Sequence, residues 1–98
     1  AKRMAILPQV PTIAESGYPG YDVTAWYGFF GPARLAPAIV ETLNKELRAA
    51  LASADVRERL GQLGLEPVGG SPREHAAHLE ADFVRWTPVV KNSGMKLD

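Results

Sequence analysis

The chain contains no cysteine, so neither a disulfide framework nor a thiolate metal site or nucleophile is available to it. It has no net charge: 11 Lys and Arg cancel 11 Asp and Glu. The two signs are interspersed, which removes the electrostatic footprint expected of a nucleic-acid or anionic-membrane binder. Long apolar runs are missing too. Nothing approaches the roughly 20 residues of a membrane span, and Ala1-Lys2-Arg3-Met4 lacks the apolar stretch of a secretory signal. What is present is an ordinary globular composition, 46% hydrophobic over 98 residues. A chain of that size buries about two-thirds of its unfolded surface, enough for one core. There is no internal repeat and no low-complexity tract.

Local signals predict an order of strand, short helix, strand, helix, helix, strand, long helix. Ala5-Ile6-Leu7 reads as the end of a strand stopped by Pro8. Thr12 and Glu15 have the spacing of a capping box, which explains that glutamate as a cap rather than a ligand. Tyr18-Pro19-Gly20-Tyr21-Asp22 is a turn cluster. From Val23 to Phe30, β-branched and aromatic residues crowd both alternating faces, predicting a central strand covered by helices on either side.

Pro37 suits a first helical position, and Ile39, Val40, Leu43, Leu47 and Leu51 recur at three and four. A second helix is expected at Asp55, with Glu58 completing a capping box and Gly64 as its stop. Leu65 to Val68 reads as an edge strand because of Pro67. Ser71-Pro72-Arg73-Glu74 combines an N-cap serine, a first-turn proline and a capping glutamate. The helix it opens is expected to turn Ala76, Leu79, Phe83, Trp86 and Val90 inward, to bend or break at Pro88, and to close at Gly94 before a short extended tail, Met95-Lys96-Leu97.

Chemistry-bearing groups are few. His75 and His78 lie three apart on the long helix beside Glu74 and Glu80, spacing that lets two histidines reach one metal, although zinc needs a third protein ligand. Opposed to that reading is a plain helix face. The serines occupy caps or turns, not a nucleophile elbow. Gly69-Gly70-Ser71 precedes a helix, but no lysine or dinucleotide fingerprint accompanies it, so no cofactor is indicated.

Three stretches, Val10-Pro11-Thr12-Ile13-Ala14-Glu15-Ser16-Gly17, Ala25-Trp26-Tyr27-Gly28 and Gly31-Pro32-Ala33, occur in that order. With Asp55-Val56-Arg57-Glu58-Arg59-Leu60, Leu63-Gly64-Leu65-Glu66-Pro67 and Lys91-Asn92-Ser93-Gly94, they resemble the late portion of the periplasmic solute receptors of tripartite tricarboxylate transporters, the Bug or TctC family. Where that pattern usually has glycine and threonine, this chain has Arg34-Leu35-Ala36, which removes the threonine N-cap.

The resemblance implies an α/β fold, the C-terminal portion of a periplasmic-binding-protein type II fold, with helices packed on a small mixed sheet. It implies residues 1–22 as an inter-lobe segment with a short capped helix and residues 23–98 as the C-terminal part of the first lobe, a single compact unit. It further implies a receptor fragment rather than an enzyme, a periplasmic setting, a small organic carboxylate as ligand, and permease subunits as membrane partners. The ligand-binding residues it suggests are Thr24, Trp26 and Tyr27, near the cleft between lobes. The glycine-rich carboxylate loop of the first lobe is expected upstream. An unpaired strand edge would then favour a homodimer or exchanged dimer through residues 1–8 or the Val23 strand. The alternative is a small metal-dependent hydrolase using His75 and His78.

Overall fold

Three helices organise the computed structural model, which describes residues 2–96. Helix α1 spans Pro37–Ala52, α2 Ala54–Gln62 and α3 Pro72–Ser93. Ala1, at the start of the segment expected to join a partner, and Leu97, in the expected tail, lie outside the described residues.

Helix α1 starts on Pro37, whose missing N–H costs nothing in a first turn, but the methyl of its N-cap Ala36 offers no oxygen to cap it. Helix α2 follows after Ser53 alone and packs against α1. It begins at Ala54, and the Asp55–Glu58 capping box does not form. Ser53 holds the N-cap position, yet its hydroxyl donates back to the Ala50 carbonyl at 2.7 Å. The exit is as expected: Gly64 adopts φ +71°, letting Leu65 N–H reach Leu60 O at 2.8 Å and Gly64 N–H reach Gly61 O at 3.0 Å. These two bonds satisfy carbonyls that a helix end leaves open.

Ser71 opens α3 with the reciprocal bonds its sequence predicts: Glu74 N–H donates to Ser71 Oγ, and Ser71 N–H donates to Glu74 Oε2 at 2.7 Å. Asn44 of α1 donates to the Gly70 carbonyl at 2.9 Å, tying α1 to this entry. The helix runs through Pro88 to Ser93 rather than breaking at Thr87, and Gly94 closes it at φ +67°.

The expected mixed sheet is not formed: among the described residues there is no strand. Residues 5–7 lie in a turn, where Leu7 N–H donates to Met4 O at 3.0 Å. Residues 23–30 and 65–68 make no ladder bonds. The physical reason is that β preference records fit to a pleated surface, and a strand exists only with a neighbour to bond. Residues 23–30 lie against α3 instead, through side chains.

The apolar stripe of α3 is likewise placed differently. Phe83 is 74% exposed, Leu79 and Val90 are also exposed, and Trp86 alone of the large residues in the stripe is half-buried. No described residue is fully buried. The radius of gyration is 16.8 Å, against about 13 Å for a compact domain of this length.

Candidate functional site

The half-buried indole of Trp26 is the centre of a side-chain cluster that joins residues 22–30 to α3. Its Nε1–H donates to Oδ2 of Asp82 on α3 at 2.6 Å. The His78 ring meets it edge-on at 4.9 Å between centroids, and the His75 ring does so at 5.4 Å. Phe30 packs on His75 at 4.9 Å and approaches Trp26 at 6.5 Å. Beneath His75 lies the α-carbon of Gly28. His75 Nε2 is enclosed there with no hydrogen-bond partner. Arg85, one turn beyond Asp82, donates from Nη2 to the Asp22 carbonyl.

The three residues singled out by resemblance therefore differ in availability. Thr24 Oγ1 donates to Asp22 Oδ1 at 2.7 Å, and that bond leads the causes holding the Asp22 carboxyl below its usual range. Trp26 has its one N–H committed to Asp82. Tyr27 is 81% exposed. Trp26 is held to α3 through Asp82, Thr24 is tied to Asp22, and Tyr27 is exposed.

Asp82 and Arg85 were not among the residues the sequence suggested. Their spacing from His75 and His78, three, four and three, was a legible signal, because it puts all four on one helical stripe. His75 and His78 both pack edge-on against the indole of Trp26. Among the described residues no group of three or more His, Asp and Glu side chains could hold a metal.

A hollow of about 400 Å³ lies at the other end of the chain, lined in part by Lys2, Arg3, Thr12 and Glu15. Its cations are paired: Lys2 Nζ with Glu66 at 2.7 Å and Arg3 Nε with Glu15 at 2.9 Å. Thr12 N–H donates to Glu15 Oε2 at 2.7 Å and Glu15 N–H to Thr12 Oγ1 at 3.1 Å, the reciprocal cap expected there.

The family model for the tripartite tricarboxylate transporter family receptor matches residues 1–95. The chain belongs to the tripartite tricarboxylate transporter receptor family. It is 42% identical over 85 residues to the UPF0065 protein of the tcbD-tcbE intergenic region of Pseudomonas sp., covering 86% of this chain and 25% of that protein. It is 34% identical over 95 residues to protein BugT of Bordetella pertussis, covering 97% of this chain and 29% of the relative. A UPF0065 protein of the TAR-I ttuE-ttuC' intergenic region of Agrobacterium vitis is 32% identical, with 94% and 28% covered. The chain thus spans between a quarter and a half of the length of the curated relatives it matches. No solved structure matches it.

The matching family model describes a receptor of tripartite tricarboxylate transporters. No helix among the described residues is long and apolar enough to cross a membrane.

Proposed function

We propose that this chain is part of a periplasmic receptor that binds a small organic carboxylate and presents it to the membrane subunits of a tripartite tricarboxylate-type transporter. The observation that carries the reading is the family match along residues 1–95. Within it, residues 1–22 form an inter-lobe segment and residues 23–98 the C-terminal part of the first lobe. The Tyr27 hydroxyl is the recognition donor, since the side chain is 81% exposed and a phenol O–H can serve a carboxylate oxygen. Thr24 and Trp26 shape the same edge, and the indole supplies an apolar wall of the kind small-ligand sites favour.

Calorimetric titration of the intact receptor, first lobe included, with citrate, succinate and a neutral diol tests this. Saturable heat is expected for at least one carboxylate and none for the diol. Tyr27→Phe should weaken binding about tenfold or more, the loss of one hydrogen bond to a charged acceptor. Carboxylates indistinguishable from the diol would overturn the reading.

The exposure of Phe29 at 78% and Phe30 at 64% supports a second element of the proposal, that the 98-residue chain pairs with a second copy through this segment. Light scattering at micromolar concentration should give twice the monomer mass; a monomer at every concentration would remove it.

A further inference from the structure

Residues 75, 78, 82 and 85 of α3 form one stripe, and each engages the segment 22–30. The stripe is polar, and it lies beside the apolar one, whose Phe83 stays exposed. Trp26 is held on three sides: two imidazole edges at 4.9 and 5.4 Å, and a carboxylate 2.6 Å from its N–H. A hydrogen bond to an ionised acceptor is roughly twice as strong as a neutral one, so rotating the indole away means losing that bond and both ring contacts together. Gly28 lets the clamp close, because a Cβ there would stand 2.3 Å from His75 Cε1. The immediate neighbour of the held indole is Tyr27, 81% exposed.

We propose that Asp82, with His75 and His78, is a clamp on α3 that fixes Trp26 and thereby sets the outward direction of Tyr27. Asp82 acts here as a positioning residue, not as a ligand contact. The proposal rests on the receptor reading above for the purpose the clamp serves, while the clamp itself has a readout of its own.

That readout is the indole N–H of Trp26, made unique in a Trp86→Phe background and followed by hydrogen exchange in NMR spectra. Asp82→Leu removes the acceptor and should speed indole exchange about ten- to hundredfold. Asp82→Asn keeps a carbonyl acceptor and should stay within about threefold of the parent. His78→Ala removes one ring edge, leaves the acceptor in place, and should speed exchange about two- to tenfold, which covers the case in which Asp82→Leu does not fold.

Titration of the intact receptor with citrate, or with succinate where citrate does not bind, supplies the second arm. Asp82→Leu should weaken that binding about tenfold and Asp82→Asn should not. Parental exchange rates in both Asp82→Leu and His78→Ala would overturn the clamp. Faster exchange with unchanged carboxylate affinity would overturn its positioning role. If the unsubstituted receptor binds neither citrate nor succinate, the receptor reading fails and the exchange rates alone decide the clamp.

Discussion

A Cβ placed on Gly28 would stand 2.3 Å from Cε1 and 2.7 Å from Nε2 of His75. His75 has little room to yield, with the rings of Trp26 and Phe30 5.4 and 4.9 Å away. Gly28→Ala is therefore expected to destabilise by about 1–3 kcal/mol, the usual range for an overpacked site. Adding His75→Ala should recover most of that loss, a coupling that independent sites would not show. Urea denaturation of the two single variants and the double variant checks it.

Arg34 adopts φ +65°, the left-handed region, two residues before Ala36, the uncapped N-cap position of α1. For a residue with a side chain this conformation costs roughly 1–2 kcal/mol, of which glycine recovers part after its own entropic cost. Arg34→Gly should accordingly raise stability by up to about 1 kcal/mol. Ala36→Ser should add about 1 kcal/mol more by supplying the missing N-cap oxygen. Denaturation midpoints above that of the parent are the expected result for each.

Ser71 carries the opposite case, an N-cap already complete. Its N–H and hydroxyl both serve the Glu74 carboxylate at 2.7 Å, and the backbone bond is the leading reason that carboxyl sits below its usual range. Ser71→Ala should cost about 1 kcal/mol. Backbone exchange in the first turn of α3 should rise with it, and unchanged protection at the Glu74 N–H would show that the cap does not hold the turn.

These cases show where sequence was sufficient. Thr12 with Glu15, and Ser71 with Glu74, are three residues apart, so the groups that satisfy one another are written side by side. Gly64 and Gly94 were legible as stops for the same reason: a left-handed residue at a helix end is a local demand. The sheet was not legible. Residues 23–30 have strand composition, but a ladder needs a partner segment, and composition cannot state whether one is there. On α3, apolar periodicity pointed to Leu79 and Phe83, whereas the stripe that meets residues 22–30 is His75, His78, Asp82 and Arg85. Trp26 and Tyr27 stood out as candidates, yet the bond that separates their roles joins residues 56 positions apart.

Glu15 gives a prediction in pH. Its carboxyl is drawn from the usual 4.5 down to about 2, first by the hydrogen bond from the Arg3 guanidinium and then by the Thr12 N–H. A carboxyl depressed on folding binds its proton more readily when unfolded, so the turn it closes is favoured wherever the unfolded group is ionised. The contribution is fully present above about 4.5 and is lost as pH falls through that value toward about 2. Both partners are exposed, so the effect belongs to the local turn and weakens with salt. Carboxyl chemical shifts of Glu15 should titrate near 2 in the unsubstituted chain. In Arg3→Ala the midpoint should rise toward 4.5 yet stop short of it, because the Thr12 N–H still donates at 2.7 Å. An unsubstituted midpoint already at 4.5 would mean that Arg3 does not hold Glu15 in solution.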